Sequence, residues 1–174
     1  MTLRGIDFSK LSLKDALDLA ILIEEEAQER YDEFSDQMEV HRTPDAAAFF
    51  RTMSGNEQRH GEELRARREQ LFPNEPRTVN RSMLFDIEAP DYDEARAFMM
   101  PRQAMQSALR SEEKAHAFFV AALPQVRNAE VRALFEELRD EEVEHQELVK
   151  RAMAKLPPDS GPSPEGFVDD PVAQ

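Results

Sequence analysis

Apolar residues recur at alternating steps of three and four residues in four segments of the chain. In the first segment the repeating positions are Leu13, Leu17, Ala20, Glu24, Ala27, Tyr31, Phe34 and Met38, so one glutamate stands among the apolar residues. This spacing puts the side chains on one face of an α-helix. The pattern predicts helices over residues 12–40, 44–70, 101–123 and 128–155.

Residues suited to helix ends flank these segments. Ser, Thr and Asn side chains can accept hydrogen bonds from the free N–H groups of a first turn, and proline fits the first helical position. Such residues occur at the predicted starts: Ser12, with Asp15 three residues later; Thr43, followed by Pro44; Pro101; and Asn128. Pro124 is predicted to end the third helix, because proline cannot continue the hydrogen-bonding pattern.

The connections between the helices differ in length. Tight turns separate the first helix from the second and the third from the fourth, whereas residues 71–100 form a long crossover with a short helix predicted near 91–99. Residues 1–156 are therefore interpreted as one domain. Residues 157–174 are rich in Pro, Asp, Ser and Gly, so we expect a disordered tail.

The two hairpins resemble each other in sequence. AILIEEEAQERYDEF from Ala20 matches ALRSEEKAHAFFVAA from Ala108, and NEQRHGEEL from Asn56 matches DEEVEHQEL from Asp140 around Glu-x-x-His. Two similar helical hairpins joined by a crossover pack as a four-helix bundle. The predicted fold class is therefore all-α.

Composition narrows the functional classes. The chain has 174 residues, a formal net charge of -14 and no cysteine. The negative charge argues against nucleic-acid binding, and the lack of cysteine excludes disulfides and Cys-ligated metal centres. No signal peptide or membrane-length apolar run occurs, so a soluble cytoplasmic protein without membrane contact is the expectation.

Each predicted helix carries one glutamate within its apolar stripe. Burying an unpaired carboxylate is strongly unfavourable, so its repetition in four helices requires an explanation. In the second and fourth helices a histidine follows three residues later, on the same face. The six residues are Glu24, Glu57, His60, Glu112, Glu142 and His145.

Counting from the tight turns places these glutamates at one level of the bundle, within about 5 Å at a rise of 1.5 Å per residue. Two divalent cations there would neutralise four carboxylates. Carboxylates with one imidazole per ion suit Fe, with Mn as the alternative, and the arrangement is a known dinuclear design. A single Glu-x-x-His in an acidic chain is weak evidence; two in register with two further glutamates are specific.

Other polar residues lie near the stripe but do not continue its spacing. Glu25 and Glu26 fall outside it and are expected to be solvated, and His41 is expected to be exposed in a turn. Glu113 and His116 form a third Glu-x-x-His at the stripe's margin, where His116 could hydrogen-bond a ligand or substitute for one. Met38, Met53 and Met105 are interpreted as core residues.

Tyr31 is the candidate catalytic residue outside the ligand set. It lies seven residues after Glu24, two turns along the same helix face. Its hydroxyl could hydrogen-bond a ligand carboxylate. The alternative is a core aromatic whose hydroxyl is satisfied elsewhere.

The motifs resemble the rubrerythrin-like branch of the ferritin-like superfamily. The resemblance covers residues 12–155 and rests on Glu24-x-x-Ala27-x-x-x-Tyr31, Glu57-x-x-His60, Glu112-x-x-Ala115 and Glu142-x-x-His145. It implies a ferritin-like bundle that binds two iron ions through the six residues named above. It also implies reduction of peroxide or oxidation of ferrous iron, commonly by a homodimer.

Two departures from that family's pattern affect what the resemblance implies. Rubrerythrins carry a further carboxylate one turn after the glutamate of the third helix, where this chain has Ala115. They also carry a rubredoxin domain, which a chain without cysteine cannot form. A peroxidase of this kind would therefore need a separate electron-donor protein.

The sequence leaves several functions open. The leading hypothesis is a non-haem diiron oxidoreductase that acts on peroxide, or on dioxygen, as its small-molecule substrate. The alternatives are a ferroxidase or iron-storage protein, a dimanganese catalase, and a metal-free helical interaction module.

Overall fold

The computed structural model describes residues 7–81 and 101–156, and within these ranges four long helices form. Helix α1 spans Leu13–Val40, α2 spans Pro44–Leu71, α3 spans Pro101–Ala122 and α4 spans Ala129–Met153, and a 3-10 turn at Leu123–Gln125 follows α3. The predicted all-α bundle is confirmed, with helix ends within two residues of the prediction. The short helix predicted near 91–99 and the tail predicted at 157–174 lie outside the described residues.

The helix starts follow from the residues found there. Ser12 Oγ accepts a hydrogen bond from the Asp15 N–H at 3.1 Å, and Asn128 Oδ1 accepts one from the Glu130 N–H at 2.8 Å. Thr43 occupies the N-cap position of α2, but its hydroxyl donates to the Met38 carbonyl at 2.9 Å and does not cap the helix. The tight α1–α2 turn brings that carbonyl within its reach.

Two apolar clusters fill the bundle, one toward each end. The first contains Leu17, Ile21, Phe119 and Phe135 among others, and the second is built around Phe34, Phe50 and the three methionines expected in the core: Met38, Met53 and Met105. Along every helix the glutamate of the apolar stripe lies between the parts that join the two clusters. A polar layer is therefore enclosed between two apolar ones.

A buried ion pair fixes the start of the crossover beside α1. Asp18 is fully buried, and its Oδ1 lies 2.9 Å from Arg68 Nε. Arg68 also donates to the carbonyls of Phe72 and Glu75, at 2.6 and 2.7 Å. Lys14 contacts Asp18 and the Pro76 carbonyl, at 3.2 and 3.0 Å. These contacts hold the chain against the outside of α1 as it leaves α2.

Apolar length gives no sign of a membrane segment. Among residues 7–81 and 101–156, every helix falls short of the continuous apolar sequence that crossing a bilayer requires.

Candidate metal centre

The four glutamates of the apolar stripes turn inward, each from a different helix. Their exposed fractions are 5% for Glu24, 2% for Glu57, 1% for Glu112 and 4% for Glu142. Carboxylates are almost never buried to this degree without a partner or a metal. The bundle therefore contains an interior carboxylate layer.

The two histidines of the Glu-x-x-His turns reach into the same layer. His145 Nδ1 lies 3.3 Å from Glu57 Oε1 and 3.4 Å from Glu112 Oε2. His60 Nδ1 lies 4.0 Å from Oε2 of both Glu24 and Glu57. Glu57 thus directs one oxygen toward each histidine, which is the geometry of a carboxylate shared between two cation sites.

Three groups of side chains offer ligand atoms that lie within 4.8 Å of one another. They are Glu57 with His60 and His145, Glu24 with His60 and Glu141, and Glu112 with Glu142 and His145. All six residues predicted from the sequence belong to these groups. Glu141 is an addition that the stripe pattern missed, although its position directly before Glu142 places it on the adjoining part of the helix surface.

The electrostatics of the layer reflect burial opposed by neighbouring charge. Burial raises the pKa of Glu24 to about 7, although a hydrogen bond with Glu57 works against the shift. Burial also lowers the pKa of His60, and the nearby His145 and Arg59 lower it further. Burial also acts to lower the pKa of His145, but the neighbouring carboxylates, Glu112 first among them, outweigh burial and raise this pKa.

The donor set fits a pair of divalent cations. His60 Nδ1 and Glu112 Oε2 are buried and form no hydrogen bond within the described residues. Such atoms are unfavourable in a core unless a ligand satisfies them. Carboxylate oxygens with one imidazole on each side are suited to iron or manganese, and two divalent ions would balance the four buried carboxylates.

Tyr31 borders a small cavity between α1 and α3. The cavity has about 10 Å³ of space for the centre of a water-sized molecule, and Arg30, Ser111 and Glu112 also line it. Tyr31 is 2% exposed, stacks on Phe50, and its hydroxyl forms no hydrogen bond within the described residues. The hydrogen bond to a ligand carboxylate that the sequence suggested is therefore not formed.

Three expectations about the remaining polar residues were wrong. Glu25 and Glu26 are partly buried, not solvated: Glu25 pairs with Arg65 at 3.3 Å, and burial raises the pKa of Glu26. Glu25 also lies 3.6 Å from Arg77, at the start of the crossover. His41 is predicted to be exposed but is half-buried, at the C-cap position of α1.

The third Glu-x-x-His on α3 does not join the candidate site. Glu113 is exposed and His116 half-buried, and neither belongs to the groups that could hold a metal among the described residues. Ala115, one turn after Glu112, is fully buried. Helix α3 therefore contributes one carboxylate to the layer, as the stripe predicted.

The fold and this layer define a four-helix bundle of the ferritin-like class with a carboxylate and histidine candidate metal centre. Residues 15–94 and 103–167 match the rubrerythrin family model, and the chain belongs to the rubrerythrin family. Family membership and the Glu/His groups together support a diiron-type protein.

One solved structure gives a further comparison. The chain is similar to the crystal structure of an uncharacterized conserved protein from Magnetospirillum magnetotacticum MS-1, with 29% identity and a TM-score of 0.72. The match covers 87% of this chain and 99% of that one. No functionally curated protein shows significant similarity to the chain.

Proposed function

We propose that this protein is a non-haem diiron oxidoreductase that reduces hydrogen peroxide to water. The observation that carries the proposal is Glu57, whose two carboxylate oxygens face the two histidines of the layer. When bound, two ferrous ions supply the two electrons that convert one peroxide and two protons into two water molecules.

The side chains divide into two halves that share Glu57. Glu24 and His60 would hold the ion on one side, and Glu112, Glu142 and His145 would hold the ion on the other. The carboxylates would keep both ions within reach of one small molecule, and the apolar clusters above and below exclude bulk water. Exclusion of water limits loss of metal and strengthens the interactions inside.

The cavity beside Glu112 is the proposed place for the oxidant. It has room for about one molecule the size of water, which excludes oxidants larger than peroxide or dioxygen. The Tyr31 hydroxyl, which has no hydrogen-bond partner among the described residues, can donate to an oxygen atom placed there. Electrons to restore the ferrous state come from a separate donor protein, and the working unit is a homodimer.

Rapid mixing tests this function. Anaerobic protein loaded with two ferrous ions is mixed with hydrogen peroxide, and the ferric absorption is followed. We expect oxidation well above the rate of free ferrous iron, with one peroxide used per two irons. Glu57→Ala should abolish the fast phase, and Glu113→Ala, at an exposed glutamate, should retain it. Oxidation no faster than that of free iron would reject the proposal.

A second candidate, ferrous iron oxidation for storage, is favoured by the surroundings of His60. This histidine is only half-buried, and Glu63 and Glu144 act on it electrostatically. Such carboxylates attract cations toward an opening. A closed shell of many subunits in light scattering, with more than two iron ions taken up per chain, would favour storage. A dimer that takes up no more than two iron ions per chain would favour the peroxidase.

A further inference from the structure

Glu141 lies next to the carboxylate layer on α4. It is half-buried on α4, and its carboxylate lies within 4.8 Å of ligand atoms of both Glu24 and His60. These three side chains come from three helices, α4, α1 and α2. The three residues are far apart in sequence, and the fold brings their ligand atoms close enough together to hold a cation.

The surroundings of Glu141 are acidic. Within the described part of the chain it forms no hydrogen bond or ion pair. The charges acting on it are mostly negative, from Glu137, Glu63 and Glu144, with His145 opposing them. Glu25, which is similarly buried, pairs with Arg65 at 3.3 Å. A half-buried carboxylate among like charges is unfavourable until a cation binds it.

The two halves of the layer are not equivalent at this position. In α2 the residue before the ligand glutamate is Asn56, whereas in α4 it is Glu141. On α3 the residue one turn after Glu112 is the buried Ala115, which offers no oxygen. Glu141 therefore adds an oxygen donor on the His60 side, whereas Asn56 and Ala115 add no carboxylate at the corresponding places on the His145 side.

We propose that Glu141 is a seventh protein ligand, which binds the metal ion on the His60 side. The inference rests on the proposed function, because it assumes that the layer holds two ions. Four carboxylates neutralise two ferrous ions, so a fifth leaves the diferrous site negative and favours the ferric state. Glu141 then strengthens binding at one position and lowers the reduction potential of the pair.

Titration of the metal-free full chain with Co²⁺ tests this assignment, because the absorption of bound Co²⁺ reports its ligands. Wild type should bind two ions per chain. Glu141→Gln should weaken the binding of one ion at least tenfold, change its visible spectrum and leave the other ion within twofold. Glu144→Gln removes the same charge from an exposed position three residues later, and because Glu144 acts on His60 only through space, it should weaken the binding of either ion by no more than about threefold.

The outcomes separate this inference from the function. Two tight ions with an unchanged spectrum in Glu141→Gln would overturn the ligand role and leave the diiron proposal standing. Equal weakening by Glu144→Gln would show a general charge effect and would also overturn it. A wild-type chain that binds no Co²⁺ would contradict the proposed function and this inference with it. Circular dichroism of each metal-free variant verifies that the helices have formed.

A second measurement uses the iron-loaded protein. Because Glu141→Gln removes a negative charge at the ions, it should raise their reduction potential in a spectroscopic redox titration, whereas Glu144→Gln should shift it much less. A potential equal in the two variants would overturn the assignment.

Discussion

The imidazole rings of His60 and His145 lie nearly parallel, with centroids 5.3 Å apart and 7° between their planes. Each ring follows a glutamate by one turn, so the two Glu-x-x-His turns of α2 and α4 face each other across the interior. The Nδ1 atom of His60 faces the carboxylates of Glu24 and Glu57. The Nδ1 atom of His145 faces those of Glu57 and Glu112. The pair therefore marks the two halves of one site.

Removing either histidine should reduce the metal content by one ion. In His60→Ala and His145→Ala we expect about one tightly bound Fe²⁺ per chain in anaerobic equilibrium dialysis, against two for wild type, because each ring is the sole nitrogen donor of its half. His116→Ala serves as the control, since His116 lies outside the ligand groups. Loss of one ion in the control as well would contradict the assignment.

The metal-free protein should lose stability as the pH rises. Burial raises the pKa of Glu24 from 4.5 to about 7, so the folded state binds this proton more tightly than the unfolded state does. The resulting stabilisation is fully present below pH 4.5 and is lost as the pH rises through 7; a shift of this size amounts to about 3 kcal/mol. The raised pKa of His145 acts in the same direction, and the lowered pKa of His60 opposes it.

Urea unfolding of metal-free protein at pH 5 and pH 8 measures this effect. Wild type should unfold at lower urea at pH 8, and Glu24→Gln, which cannot ionise, should show a smaller difference. Addition of metal should reverse the trend, because cations bind the deprotonated carboxylates. An equal pH dependence in wild type and Glu24→Gln would refute the role of Glu24.

Tyr31→Phe should separate chemistry from folding. The hydroxyl has no hydrogen-bond partner among the described residues, so its removal should change the free energy of unfolding by less than about 1 kcal/mol. If the hydroxyl donates to the oxidant, the rate of iron oxidation by peroxide should fall by about 100-fold. An unchanged rate would leave Tyr31 as a packing residue.

The Asp18–Arg68 pair should matter for stability and not for metal binding. Asp18→Ala leaves Arg68 buried without its partner and should lower the free energy of unfolding by about 3 to 5 kcal/mol. Asp140→Ala provides a comparison, because Asp140 is exposed and, within residues 7–81 and 101–156, pairs only with its neighbour Arg139. Similar effects of the two substitutions would show that the buried pair contributes little.

The helices and the inward carboxylates could be predicted from the sequence because both depend on how apolar residues repeat within a single helix. A glutamate such as Glu57 that keeps the 3.6-residue spacing of its apolar neighbours must share their buried face. Capping by Ser12 and Asn128 also depends on residues within one turn.

The errors arose where residues distant in sequence determine how far a side chain is buried. Glu25 is covered because Arg65 and Arg77 reach it from α2 and the crossover, which no pattern within α1 reveals. Glu141 lies off the stripe, and only the packing of α4 against α1 and α2 brings it near His60. The Tyr31 hydroxyl has no hydrogen-bond partner in the described part of the chain, and this depends in the same way on how α3 packs against α1.

Anomalous scattering from crystals of protein never exposed to chelators tests the central claim most directly. We predict two peaks at the iron absorption edge in each chain, one beside His60 and one beside His145, with Glu57 between them. Peaks at the manganese edge alone would show that the metal is manganese and would leave the assignment of the site unchanged. Crystals with no anomalous peak among Glu24, Glu57, Glu112 and Glu142, even after soaking in ferrous iron, would contradict the account.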